Sequence, residues 1–139
     1  MSTCTFCELI AGTKNRHIVF EDDKLLAFLD ARPLFPGHSL LVPKTHIETF
    51  YDLPQALIQP FFSTAQMLGK AIERGMQAKG SFIAMNNKIS QSVPHLHMHI
   101  VPRNPQDGLK GFFWPRQAYR DETHKLEVTA QIKKHLHGS

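Results

Sequence analysis

The chain has 139 residues, of which 42% are hydrophobic and 20% charged, and a formal net charge of +4. This length and composition are typical of one globular domain and exclude a disordered or fibrous protein. No apolar stretch reaches the ~20 residues that cross a bilayer, and no basic-then-apolar segment opens the chain, so we expect a soluble, cytoplasmic protein. The basic residues are scattered, which argues against a nucleic-acid or membrane partner.

The first part of the sequence predicts a short helix followed by three strands. Residues 7–11 precede Gly12, which favours a helix that ends there, and residues 17–22 alternate enough to begin a strand. Compact apolar runs at 25–30 and 37–43 are typical of buried strands. These three strands are expected to form a meander.

The main helix is predicted between residues 52 and 80, where apolar side chains recur every three or four positions. Pro54 suits the first turn of this helix. Pro60 lies inside it and should kink or restart it, because proline lacks the amide donor and clashes with the preceding turn.

The rest of the chain predicts two more strands, at 81–86 and 95–101, and a C-terminal helix with Asp121 as its N-cap. Strands, a long helix, strands and a helix in this order are typical of an α+β domain with a largely antiparallel sheet. We therefore expect one domain of that class.

Three histidines alternate with apolar residues in the last predicted strand. Successive side chains of a strand point to opposite faces, so His95, His97 and His99 should share one face while the apolar residues between them face the core. This alternation favours a functional site over an exposed strand face that is rich in histidine. Either a zinc ion bound by imidazoles or phosphoryl chemistry with one imidazole as nucleophile would suit it.

The residues before these histidines favour phosphoryl chemistry. Side chains that can donate hydrogen bonds are found at Asn86, Asn87, Gln91 and Ser92. No acidic residue lies between positions 75 and 107 to complete a hydrolytic metal site. At the N-terminus, the spacing of Cys4 and Cys7 is typical of metal binding or redox chemistry rather than of a structural disulfide.

Residues 95–101 resemble the His-φ-His-φ-His-φ-φ signature, in which φ is apolar, of the histidine triad (HIT) family of nucleotide hydrolases and transferases. Further matches in the family's order are found at residues 19–23, 27–30, 37–38, 41–47 and 91–93. The resemblance spans residues 4–103 and leaves 104–139 as a C-terminal extension of a single HIT domain. It implies a HIT-like α+β fold, usually a homodimer, that binds a purine nucleotide.

The resemblance also implies the roles of individual residues. His97 would be the nucleophile that carries a transient nucleotidyl group, with His99 at the phosphate oxygens and Ser92 assisting the leaving group. The substrate-binding residues would be Asp30 at the ribose, Phe6, Leu9 and Phe28 around the base, and Asn86 or Asn87 with Gln91 near the phosphate. For Leu9 and Phe28 plain core packing is an equal alternative, and Asp30 also suits a turn before Pro33.

Some family members with N-terminal cysteines bind a structural zinc, and the matching ligands here are Cys4, Cys7, His46 and His95. The alternative is a pair of packed, reduced cysteines. Four protein ligands leave no open position for substrate, so this zinc would be structural, would withdraw His95 from catalysis, and would not be needed for the reaction.

The predicted function is a nucleotide hydrolase or nucleotidyl transferase that acts on a nucleoside phosphoramidate or a dinucleoside polyphosphate. Two alternatives are a non-catalytic nucleotide-binding or zinc-organised interaction module, and a metallohydrolase with metal on the triad. Ser90 stands where many members have a glycine that lets backbone approach a phosphate. The aromatic stretch 111–116 lies outside the common motif and suits a pocket cover, a dimer contact or ordinary core.

Overall fold

The computed structural model describes residues 4–12, 17–109 and 116–136. The chain divides into two compact units, residues 1–107 and residues 108–139. None of the helices within the described ranges is both long and apolar enough to span a bilayer. Of the aromatic stretch 111–116, only Arg116 falls within the described residues, and its side chain is exposed.

The first unit is built on a five-stranded sheet in which all neighbouring strands are antiparallel. In chain order the strands are β1 (Ile18–Glu21), β2 (Leu25–Leu29), β3 (Ser39–Pro43), β4 (Gly80–Ala84) and β5 (Met98–Arg103). Across the sheet they lie in the order β1-β2-β3-β5-β4. The first three strands form the predicted meander, and the predicted α+β fold is confirmed.

A short helix, α1 (Thr5–Ala11), precedes the sheet. It begins two residues before the predicted start because Cys4 acts as its N-cap and accepts a hydrogen bond from the Cys7 N–H. It ends where predicted, at Gly12, which adopts the left-handed conformation with φ of 82°.

The long helix α2 (Gln55–Gly75) runs without interruption through Pro60, so the predicted restart at this residue is wrong. Proline here removes only one hydrogen bond close to the helix start. The buried residues Phe61, Ala65 and Leu68 hold the following turns against the sheet. Pro54 is the N-cap rather than a first-turn residue.

The second unit contains α3 (Glu122–Lys134). Its N-cap is Asp121, as predicted, and the Asp121 carboxylate accepts a hydrogen bond of 2.8 Å from the His124 N–H. Two lysines in the last turn complement the negative end of the helix dipole.

The three central strands of the sheet are buried on both faces. Leu25 and Ala27 of β2 belong to the same apolar cluster as the buried face of α2, whereas Leu26 and Phe28 of the same strand pack in a second cluster with α1. Alternate residues of β5 follow the same rule, since Met98 and Ile100 lie in the α2 cluster. The histidines therefore lie on the α1 side of the sheet.

The strand predicted at 95–101 begins later, because β5 starts at Met98. Continuing the β3–β5 register would place Leu96 opposite Pro43, which has no N–H to donate. The Leu96 N–H instead donates to the Ile47 carbonyl at 2.6 Å. His95 and His97 thus lie in the segment that leads into β5, and both are buried.

A side chain at Gly37, just before the third strand, should destabilise the protein. Its φ is +98°, and a Cβ added there would lie 2.6 Å from Met76 Cγ and 3.3 Å from Pro102 Cγ. We expect Gly37→Ala to lower the free energy of unfolding by about 1–2 kcal/mol from backbone strain, and further if Met76 cannot rotate away. Urea denaturation measures the change.

Alanine substitutions at two other glycines separate the effect of backbone strain from that of steric crowding by neighbouring atoms. Gly108 also has a positive φ, of +93°, but nothing lies within 4 Å of its added Cβ. Gly75 has open space and no positive φ. Gly37→Ala should therefore cost most, Gly108→Ala less and Gly75→Ala least; equal stability of the Gly37 and Gly75 variants would contradict this account.

Candidate active site

A pocket of about 610 Å³ lies between α1 and the sheet. Seven of the predicted site residues line it: Phe6, Leu9, Phe28, Asp30, Ser92, His97 and His99. Phe6, Leu9 and Phe28 are also buried members of the α1 cluster. Leu9 and Phe28 therefore both pack in the core, which was one interpretation of them, and line the pocket, as the other interpretation requires. The result is an apolar chamber with carboxylate, hydroxyl and imidazole groups in its wall.

Three predicted phosphate-binding residues do not line this pocket. The Asn87 side-chain oxygen accepts a hydrogen bond of 2.8 Å from the Phe50 N–H. The Gln91 amide accepts from the Lys88 N–H and donates to the Glu48 carbonyl. Asn86 is exposed. Asn87 and Gln91 thus fasten the loop that carries Ser92.

The ring of His97 is held in one tautomer. Its Nδ1 lies 2.7 Å from the backbone carbonyl of His95, and a carbonyl can only accept, so Nδ1 carries the proton. Nε2 then keeps its lone pair. The ring is buried and packs edge-on against Phe6, with ring centres 5.0 Å apart.

A hydrogen-bond chain fixes the tautomer of His99 as well. The Leu34 N–H donates to Nδ1 of His38 at 3.0 Å, so the proton of His38 is on Nε2, which lies 3.0 Å from Nδ1 of His99. His38 therefore donates to His99, whose own proton must be on Nε2. The side chain of Asp30 lies 3.4 Å from His38 Nε2 and orients it further.

Nothing in the sequence alone assigned a role to His38. The side chain meets His99 only because the register places Leu40 of β3 opposite His99 of β5. In the sequence, His38 is marked only by the glycine before it at the start of a predicted strand. That pair does not indicate which residue His38 contacts.

Asp30, His38 and His99 lie close enough together to suggest a metal site, but their hydrogen bonds oppose it. A neutral imidazole has one lone pair. In His38 that lone pair, on Nδ1, accepts from the Leu34 N–H. The nitrogen that faces His99 therefore carries a proton and is not a ligand, so these residues form a hydrogen-bond relay.

Burial keeps the rings of this relay neutral. Loss of hydration, and then the neighbouring His97 and His38, lower the pKa of His99 to about 4, although Asp30 acts in the opposite direction. Burial likewise lowers the pKa of His38. At neutral pH, His99 is a hydrogen-bond donor without a formal charge.

We expect NMR titration of the folded protein to place the His99 midpoint near pH 4, against about 6.5 for histidine in the same protein unfolded by urea. The depressed value means that the unfolded chain binds this proton first as the pH falls. Stability should therefore fall between pH 6.5 and 4, with no contribution above that window. A folded-state midpoint near 6.5 would contradict the desolvation of His99.

A second cluster brings together Cys4, Cys7, His46 and His95, whose ligand atoms all lie within 4.8 Å of one another. His95 Nδ1 is 3.4 Å from Cys4 Sγ and 3.6 Å from Cys7 Sγ, and His46 Nδ1 is 3.3 Å from Cys7 Sγ. Tetrahedral zinc with ordinary bond lengths would hold such nitrogen and sulfur atoms about 3.6 Å apart.

The orientation of His95 also fits a metal ligand. Its Nε2 lies 2.8 Å from the Pro43 carbonyl and must donate to it. The lone pair is therefore on Nδ1, the atom nearest the two sulfurs. All four residues predicted as metal ligands are thus brought together, in an arrangement that fits a Cys₂His₂ site.

Comparison with known proteins places this architecture. The sequence matches the HIT domain family over residues 11–106. It is 36% identical to Protein hit of Bacillus subtilis, over 98% of this chain and 96% of that protein. It is 31% identical to adenylylsulfatase HINT3 of Arabidopsis thaliana, over 96% of this chain and 69% of that protein.

Solved structures agree. A HIT family protein from Bacillus subtilis superimposes with a TM-score of 0.88 at 35% identity, covering 99% of this chain and 100% of its own. A Zn-bound histidine triad family protein from Mycobacterium smegmatis gives 0.73 at 32% identity, covering 95% and 96%. The chain belongs to the HIT family, a superfamily of nucleotide-binding proteins and hydrolases.

Proposed function

We propose that this protein is a nucleotide hydrolase or nucleotidyl transferase that cleaves at the α-phosphate through a covalent intermediate on His97. The tautomer of His97 carries this proposal. Because Nδ1–H is donated to the His95 carbonyl, the free lone pair is on Nε2 of a ring that lines the pocket. An unprotonated imidazole nitrogen at a pocket wall is suited to nucleophilic attack on phosphorus.

The reaction would proceed by two displacements. His97 Nε2 forms a bond to the α-phosphorus as the bond to the leaving group breaks, and that bond's electron pair departs with the leaving group. Water then attacks phosphorus, and the electron pair of the P–N bond returns to the imidazole. One water is consumed: its hydroxyl ends on phosphorus and its other proton on the leaving group. In a transferase, another acceptor takes the place of water.

The neighbouring groups suit supporting roles. His99 would donate its Nε2–H to a phosphate oxygen, since the hydrogen bond from His38 keeps its proton on that atom. The Ser92 hydroxyl would assist the leaving group. Asp30 would accept from the ribose hydroxyls, while Phe6, Leu9 and Phe28 would enclose the purine.

We also propose that Cys4, Cys7, His46 and His95 hold a structural zinc. The observed ligand spacing supports it, as does the lone pair of His95 Nδ1, which faces the two sulfurs. The zinc bound by the Mycobacterium relative supports it as well. A bound zinc would tether α1, since Cys4 is the N-cap of that helix. Because α1 supplies Phe6 and Leu9, the cluster would stabilise one wall of the pocket.

We further propose that the protein is a homodimer. β4 is an edge strand of the sheet, and Ile83 on it is exposed. Ile58, Phe62 and Met67 are exposed apolar residues of α2. Exposed apolar side chains on the last strand of the sheet and on the helix that packs against it suit contact with a second copy. Sedimentation equilibrium measures the oligomeric state, and a monomer at high concentration would contradict the proposal.

Turnover tests the proposed reaction. The purified protein is incubated with adenosine phosphoramidate and with diadenosine tetraphosphate, and samples quenched in the steady state are analysed by mass spectrometry. We expect release of adenosine monophosphate from at least one substrate and a transient adenylyl adduct on the peptide that contains His97. Tight binding of adenosine monophosphate without turnover of either substrate would favour the non-catalytic binding module.

A further inference from the structure

A second pocket, of about 380 Å³, adjoins the first. Thr5, Ser92 and Val93 line both pockets, so these three residues form the boundary between them. Ser92 is the residue assigned to the leaving group in the proposed function. A group that departs from the α-phosphate past Ser92 would therefore enter the second pocket.

Glu48 lines this second pocket, and the backbone around it is held firmly. The carbonyl of Ile47 accepts from the Leu96 N–H, and the carbonyl of Glu48 accepts from the Gln91 side chain. On the other side, the Thr49 N–H donates to the Asp52 carboxylate. These bonds fix Glu48 relative to the loop of Ser92 and to the segment that carries the histidines.

The second pocket has one acidic residue among its lining residues. Of its lining residues within the described chain, Glu48 alone carries a fixed charge. Cys4 and His46 also line it, but a zinc ion bound by two thiolates and two neutral imidazoles has a net charge of zero. Glu48 is an exposed residue, and its carboxylate makes no ion pair with any residue that the structure describes.

We propose that the second pocket is the leaving-group subsite and that Glu48 selects a leaving group with a positive charge, such as an amine with a distal ammonium. The inference rests on the proposed function and narrows it. A carboxylate attracts an ammonium and repels a sulfate or a polyphosphate. The preferred substrates would therefore be nucleoside phosphoramidates of cationic amines rather than dinucleoside polyphosphates.

Three adenosine substrates with different leaving groups test this selection. Two are phosphoramidates of similar length, one of butylamine with a neutral tail and one of butanediamine with a terminal ammonium; the third is adenylyl sulfate. We expect the wild type to favour the diamine over butylamine by about three- to fivefold in kcat/KM, the range of a partly exposed ion pair. Adenylyl sulfate should be the poorest of the three.

Glu48→Gln removes the charge and keeps the size of the side chain. In this variant the ratio of the diamine to the butylamine substrate should fall to about one, and adenylyl sulfate should improve relative to both. Raising the salt concentration to ~1 M should shrink the wild-type preference in the same way, because it shortens the screening length to ~3 Å. Glu73→Gln on α2, away from both pockets, is the matched control and should keep the wild-type ratio.

The outcomes separate the two proposals. Turnover of the phosphoramidates with equal kcat/KM in the wild type, or a preference that Glu48→Gln leaves intact, would overturn the charge selection and leave the reaction standing. Turnover of diadenosine tetraphosphate but of none of these three substrates would likewise overturn the charge selection alone. Absence of turnover for all three substrates and for diadenosine tetraphosphate would overturn the proposed reaction, and this inference with it.

Discussion

Replacing His97 with alanine should lower kcat by about 10⁴-fold or more, on whichever substrate the wild type accepts. Loss of a covalent nucleophile removes the first displacement altogether, and variants of this kind in other enzymes fall by factors of this order. Steady-state kinetics measure the loss, and the adenylyl adduct should be absent from the mass spectrum. His97→Gly with added imidazole should recover part of the activity, because the small imidazole can occupy the vacated space.

Two controls exclude misfolding and a contaminating enzyme as explanations of this loss. His135→Ala makes the same change of residue in the second unit, outside the pocket, and should retain wild-type kinetics. Circular dichroism should show that His97→Ala keeps its secondary structure. Activity of a folded His97→Ala within tenfold of the wild type would refute the covalent mechanism and favour direct attack by water.

Cys4→Ser should remove the bound metal while leaving the helix cap in place. Serine is a good N-cap, so the hydrogen bond to the first turn of α1 should be preserved, but one of the four proposed zinc ligands is lost. We expect the zinc content to fall from about one ion per chain to near zero, and Tm to drop by about 5–10 °C. Elemental analysis and thermal unfolding measure both quantities.

Chelation provides the matching test. Wild-type protein treated with a strong chelator should unfold at the temperature of Cys4→Ser, and the variant itself should not respond to the chelator. Wild-type protein that is purified without zinc and unfolds at the same temperature as Cys4→Ser would instead support a pair of packed, reduced cysteines.

Local patterns predicted the elements of this fold well, because each depends on neighbours in the sequence. The period of apolar residues predicted α2, and Gly12 marked the end of α1. The start of β5 was wrong because it depends on Pro43, a residue of another strand. The register between two strands is not encoded in either strand alone.

In the candidate site, too, features that depend on sequence neighbours were predictable, whereas contacts between distant residues were not. The histidine run predicted that His97 and His99 face the same side of the sheet, because their alternation is local, and both line the pocket. The partner of His99 is His38, 61 residues away along the chain, and the contact of Gln91 with Glu48 spans 43 residues. Gln91 was expected at the phosphate, but its amide is used to fasten two loops together, a role that only the folded arrangement defines.

The relay of neutral histidines has a consequence for the end of the catalytic cycle. The described residues of the main pocket include no lysine or arginine, and the lowered pKa of His99 keeps that ring uncharged at neutral pH. In the proposed reaction, a nucleoside monophosphate would gain negative charge when it is set free from His97, yet it would meet hydrogen-bond donors rather than fixed cations. Its departure would break no salt bridge with these residues, so we expect release of the product not to limit the rate of the proposed reaction.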